Sequence, residues 1–124
     1  MQGGFLGGHY HPSDGRIYLL PRCASRVVRF DPATNTWESI GDNFPESELT
    51  KGCKWNACAV SSIDNCIYSF PCMLTKAFRV LKIDPSNGTA EEVGEDLRTL
   101  VPREVHGEYA YYWSVANADG IINP

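Results

Sequence analysis

The chain has 124 residues, of which 43% are apolar and 21% charged, with 15 acidic side chains against 11 basic ones. That length suits one domain or a piece of one, and the acidic balance argues against a nucleic-acid surface, which needs a basic face. No run reaches the ~18 apolar residues of a membrane-spanning helix, and residues 1–8 (MQGGFLGG) lack the basic start and long apolar stretch of a signal peptide.

Taken in chain order, the first half predicts four short strands, at about 5–10, 16–20, 26–30 and 37–40. Each is a run of four to six residues bounded by turn signals, too short for helices. Asp14-Gly15 suits a tight hairpin that needs positive φ. Asp31-Pro32-Ala33-Thr34-Asn35-Thr36 reads as a turn: the Asp side chain accepts backbone N–H bonds two residues on, and Pro presets φ. Ile17 and Leu19 occupy one pleat face while Tyr18 and Leu20 occupy the other, so this strand must be covered on both sides.

The second half repeats the first. Asp14-Gly15-Arg16-Ile17-Tyr18 aligns with Asp64-Asn65-Cys66-Ile67-Tyr68 at an offset of 50 residues. The offset grows to 53 after an insertion near 73–75, so that Asp31-Pro32 falls on Asp84-Pro85, Trp37 on Ala90 and Gly41 on Gly94. Strands are therefore expected at 55–61, 66–70, 78–83 and 90–93, with a loop holding at most a helical turn at 96–104. A third copy begins around Tyr109–Val115 and Asp119-Gly120. The expected units are 1–50, 51–105 and the start of a third at 106–124. Four antiparallel strands per 40–50 residues, covered on both faces, make up a propeller blade. The expected fold is thus all-β: a partial β-propeller of about two four-stranded blades plus a terminal strand or hairpin.

The run Asp14-Gly15-Arg16-Ile17-Tyr18, with Phe30-Asp31-Pro32-Ala33-Thr34-Asn35-Thr36-Trp37, resembles the kelch repeat. Lys54-Trp55, Phe70-Pro71 and Val80-Leu81-Lys82-Ile83-Asp84-Pro85 are similar to kelch-like arrays of unicellular eukaryotes. The resemblance covers most of the chain. Its markers here are Asp14, Tyr18, Asp31, Pro32, Trp37, Gly41, Trp55, Tyr68, Asp84, Pro85 and Gly94. It departs from the kelch pattern at Leu20-Pro21 and Phe70-Pro71, where a glycine pair belongs, and at Ala90, where the first copy has Trp37.

Candidate chemistry is sparse. His9 and His11 stand at i and i+2, on one side of a strand, the one spacing here that some metal sites use. The aligned residues of the second copy are Ala59 and Ser61, and His106 lies in a distant loop. Arg26/Arg79 and Arg29/Lys82 are cations repeated at matching positions, expected to lie along apolar neighbours and pair with nearby carboxylates. Glu91-Glu92, Glu95-Asp96 and Glu46/Glu48 read as solvated charge at the outer rim. Asn87-Gly88-Thr89 fits a glycosylation acceptor, yet the turn alone accounts for Asn-Gly. The five cysteines (Cys23, Cys53, Cys58, Cys66, Cys72) are odd in number and contain no C-x2-C pair. They are expected to be buried reduced thiols in a reducing, intracellular compartment, with Cys58 and Cys72 alone placed to face each other. No nucleophile elbow, phosphate-cradling glycine loop or H-E-x-x-H motif occurs.

These observations make a non-catalytic interaction or scaffold module the first expectation, with no cofactor. Two blades alone expose the flat faces of the end blades, so a protein partner, further blades or a homo-oligomer is expected to complete them. Two alternatives are a propeller enzyme with a metal at His9 and His11, as the fold analogy implies, and an accessory structural subunit of a large complex.

Overall fold

A computed structural model describes residues 5–21, 24–44, 54–71, 77–100, 115–116 and 122–123. Cys23, Glu46, Glu48, Cys53, Cys72, the insertion at 73–75, His106 and most of the third repeat lie outside the described residues. The described chain forms two four-stranded antiparallel sheets of identical order. In the first blade β1 (Phe5–Tyr10), β2 (Ile17–Pro21), β3 (Val27–Asp31) and β4 (Thr36–Ile40) pair as neighbours in sequence. In the second, β5 (Trp55–Val60), β6 (Ile67–Pro71), β7 (Val80–Asp84) and β8 (Thr89–Val93) do the same. All eight elements fall within two residues of their expected positions at each end. Both sheets break register at the same place in their first strand, between Phe5 and Gly8 and between Trp55 and Cys58.

The turns form through the local chemistry expected of them. The Asp31 carboxylate accepts the Ala33 N–H at 2.9 Å, and Asp84 accepts that of Ser86 at 3.0 Å. Positive φ occurs at Asn35 and Gly88 in these turns, and at Gly15 and Asn65 in the β1–β2 and β5–β6 hairpins. Tyr18 donates its hydroxyl to Asp14 and Tyr68 donates to Asp64, each at 2.5 Å, closing the two hairpins in the same way. After the fourth strand, Phe44 N–H donates to Ser25 O at 2.5 Å and Leu97 N–H to Phe78 O at 2.7 Å, again 53 residues apart.

The core lies between the sheets. Cross-strand pairing puts His9, Tyr18, Arg29 and Glu38 on one face of the first blade, continued by the buried Leu20, Val27 and Ile40. The facing side of the second blade carries Val60, Ile67, Ile83 and Ala90, with Leu81 and Ser69. Ile67, Leu81, Ile83 and Ala90 are fully buried. At about 1.5–3 kcal/mol for each large aliphatic side chain removed from water, this contact dominates the stability of the pair. Phe44 extends it, meeting the Trp55 ring edge-on at 4.9 Å between centroids.

Among the described residues there is no α-helix. Within the expected 96–104 loop, the described part holds one 3-10 turn, Leu97–Thr99, capped by the Asp96 side chain, and residues 101–104 lie outside the described residues. Among the described residues no helix is long and apolar enough to cross a membrane. Two short strands, β9 (Val115–Ala116) and β10 (Ile122–Asn123), pair antiparallel, and β9 runs beside β5. The chain is thus an open partial propeller of two blades with a terminal strand pair.

Candidate functional site

Because the two blades repeat one sequence pattern, each offers the same two faces, and the contact between them shows how the faces differ. The first blade supplies donors. His11, 1% exposed, accepts the Asp14 N–H on Nδ1 at 3.1 Å, which leaves its ring hydrogen on Nε2. Nε2 donates to the Asn65 carbonyl of the second blade at 2.7 Å. Arg29 donates from Nη1 to the Pro85 carbonyl at 3.1 Å, and the Asp42 N–H donates to Ala90 O at 2.8 Å. One bond runs the other way: Lys54, 2% exposed, donates Nζ to the Ala24 carbonyl at 3.0 Å.

Arg29 is held in place for its role. Its Nε and Nη2 each lie 2.7 Å from Glu38 Oε2, and Nη1 reaches the Tyr18 hydroxyl at 3.4 Å. Burial alone would lower the Arg29 pKa, and the bonds to Tyr18 and Glu38 more than offset it. The Tyr18 phenol is pushed up to about 12, first by burial and then by its bond to Asp14. It stays a neutral donor at any physiological pH.

Close approach at the outer end depends on two small residues. Gly41 has φ +77°, and a Cβ there would run into both the Cβ and the backbone N of Ala90. Ala90 occupies the position that Trp37 holds in the first blade, so the departure from the repeat pattern is a fit to Gly41. The equivalent Gly94 has φ +78°, and a Cβ placed on it would meet nothing within 4 Å.

The opposite face of the first blade is open. Register places Gly8, Tyr10, Ile17, Leu19, Val28, Phe30, Trp37 and Ser39 together there, without a charged side chain. Tyr10 is 59% and Trp37 61% exposed, whereas of the matching residues in the second blade Ala90 is fully buried and Val60 is partly buried against the interblade core. Trp37 lies over Phe30 with ring centroids 4.5 Å apart. Beside them an open groove of about 310 Å³ is lined by Arg16, Arg29, Asp31, Thr36, Trp37 and Glu38. This face is the candidate functional site, since large contiguous apolar patches mark interaction surfaces.

The other sequence candidates are placed as follows. His9 and His11 both lie on the covered face, and both ring nitrogens of His11 already bond to protein groups. His9 Nε2 is buried without a hydrogen-bond partner among the described residues, and burial lowers the ring's pKa. Among the described residues no three potential ligands cluster to hold a metal. Arg26 and Arg79 donate to the glycine carbonyls closing their own blades, Gly41 at 3.1 Å and Gly94 at 2.8 Å. Lys82 lies 6.0 Å from the Tyr68 ring centroid. Glu91 is exposed, while Glu92 is half-buried and its pKa is raised by that burial. The Asn87 amide donates to Asp84 at 2.8 Å, a turn role. Cys58 and Cys66 are free thiols, and burial pushes Cys58 up to about 12, far from a reactive thiolate.

Sequence reasoning missed the structural use of His11 and Lys54 between the blades. The signal available was their absence from the aligned positions of the other copy, which marks a residue serving one interface. Compared with known proteins, the chain matches no family model, no curated protein and no solved structure.

Proposed function

We propose that the protein is a non-catalytic interaction or scaffold module of kelch-like blades, completed by or docked on another protein through the open face of its first blade. The observation that carries this reading is the contrast between equivalent faces. Val60, Ile67, Leu81, Ile83 and Ala90 lie in the interblade contact, while Tyr10, Ile17, Val28, Phe30 and Trp37 face outward. A sheet built to be covered on both sides has one cover missing. Membership of the kelch-like repeats rests on the quoted motifs and on turns that recur with matching hydrogen bonds. The enzyme reading is weaker because His11, one of its two proposed ligands, has both ring nitrogens engaged, Nδ1 by the Asp14 N–H of its own hairpin and Nε2 by the Asn65 carbonyl of the second blade.

Native purification from its own cells tests the proposal. A stoichiometric complex heavier than the 13.8 kDa chain is expected. Val28→Glu, which places a charge at the centre of the open face, should release the chain from that complex. Recovery of the same complex with the variant, or of a single free chain from wild-type cells, would refute the reading.

A further inference from the structure

The β7–β8 turn of the second blade carries the only Asn-Gly pair in the sequence, Asn87-Gly88. At the matching positions the first blade has Thr34-Asn35. Glycine puts no Cβ beside its own nitrogen, so that nitrogen can close on the side chain of a preceding asparagine without steric hindrance. Asn87 is exposed, and water reaches it. In the folded turn, however, both reacting groups are held by one residue. Asn87 Nδ2 donates to Asp84 Oδ2 at 2.8 Å, and the Gly88 N–H donates to the Asp84 carbonyl at 2.9 Å. The Ser86 and Asn87 N–H groups also donate to Asp84 Oδ1, at 3.0 and 3.4 Å. The same turn touches the other blade: Arg29 Nη1 donates to the Pro85 carbonyl at 3.1 Å, and a Cβ built on Gly88 would lie 3.4 Å from Arg29 Nη2.

We infer that Asn87 is a deamidation site gated by the fold: Asp84 holds it unreactive, and its conversion loosens the contact between the blades. Ring closure needs the Gly88 nitrogen freed from the Asp84 carbonyl and the Asn87 side chain freed from the Asp84 carboxylate, so the turn must open first. In the open turn the Gly88 nitrogen attacks Asn87 Cγ. The N–Cγ bond forms, the Cγ–Nδ2 bond breaks, and ammonia leaves with the proton lost from the Gly88 nitrogen. Water then adds to one or the other carbonyl of the cyclic imide and reopens it, to aspartate or to isoaspartate. Isoaspartate carries its side-chain carbon in the main chain, which lengthens the turn where Pro85 and Gly88 meet Arg29. Either product also sets a second carboxylate beside that of Asp84, and the two repel where an amide had donated.

Peptide mass spectrometry of the purified full chain, aged at mildly alkaline pH, tests this. Asn87 should convert at least about tenfold more slowly in the folded chain than in chain unfolded in urea, because reaction follows the population of open turns. Aspartate and isoaspartate should both appear, as an imide requires. Asp84→Asn keeps an acceptor for the Ser86 N–H but loses the one that holds the Asn87 amide. The new side chain cannot form an imide of its own, since Pro85 has no N–H. This variant should speed conversion in the folded chain by about tenfold, as loss of one charge-assisted hydrogen bond allows, with circular dichroism confirming that the blades are folded. Equal rates in folded and unfolded chain, an unchanged rate in Asp84→Asn, or aspartate as the sole product would each overturn the inference. The chain with isoaspartate in place of Asn87, separated by ion exchange, should unfold at lower urea than fresh chain. Arg29→Gln should then lower its midpoint less than it lowers that of fresh chain. Equal midpoints for the aged and fresh chains, or equal losses from Arg29→Gln in both, would refute the link to the contact between blades.

Discussion

The two blades have the same strands, the same turns and nearly the same hairpin hydrogen bonds, yet one of a pair of equivalent faces is core and the other is surface. Ala90 is fully buried against Gly41, and Trp37 at the same position of the first blade is 61% exposed. The lesson is that a repeat specifies a shape, and the neighbour on each side then decides what every position in that shape costs. Gly41 and Gly94 share a positive φ because both close a blade, but only Gly41 is also a contact between blades.

Exchanging the residues that differ should break the comparison most forcefully. Ala90→Trp forces an indole into the space filled by Gly41 and should destabilise the fold by about 3 kcal/mol, as overpacking does. Trp37→Ala, on the open face, should cost less than about 1 kcal/mol in dilute solution. Urea denaturation of both variants measures the gap, and equal effects would mean that the two faces are not in different environments.

A methyl group at the two glycines separates backbone strain from contact. Gly94→Ala should cost about 1 kcal/mol for the positive φ alone. Gly41→Ala adds the clash with Ala90 and should cost roughly 2–3 kcal/mol. The difference between the two midpoints isolates the interblade term.

The tyrosines sharpen the comparison further. Tyr18→Phe removes a hydroxyl that donates to Asp14 and accepts from Arg29 inside the contact, at about 1.5 kcal/mol. Tyr68→Phe removes the matching bond to Asp64 at the more open blade face and should cost about half as much.

The smallest effect is one of pH. Burial lowers the His9 pKa from its ordinary 6.5, so the folded state disfavours the proton that the unfolded chain accepts. Stability should therefore fall as pH drops below about 6.5 and level off once pH passes below the folded value. His9→Gln should flatten that acid-side slope in denaturation curves at pH 7.5 and 5.5. An unchanged slope would assign it to other groups.

Most of the fold was legible in the chain because its signals are local. Asp31-Pro32 and Asp84-Pro85 make turns through their own side chains, Asp14 and Asp64 reach a tyrosine four residues on, and two-sided apolar strands declare themselves by composition. Residues 5–100 could be phased into blades from these features alone. The candidate site was legible only in outline. An end face had to be open, but the linear pattern marks Ile17, Leu19, Tyr18 and Leu20 alike as apolar and does not say which pair meets the other blade.

Tertiary structure made that choice. It turned His11 from a metal candidate into a donor to Asn65, 54 residues away, and gave the buried Lys54 a carbonyl of the first blade to bind. It also explained Ala90, whose size answers to Gly41 and to nothing near it in sequence. Local hydrogen bonding and the two-residue period of a strand are written along the chain. Which face is covered depends on how one twisted sheet stacks on the next, a contact between residues some fifty positions apart that neither propensity nor pattern encodes.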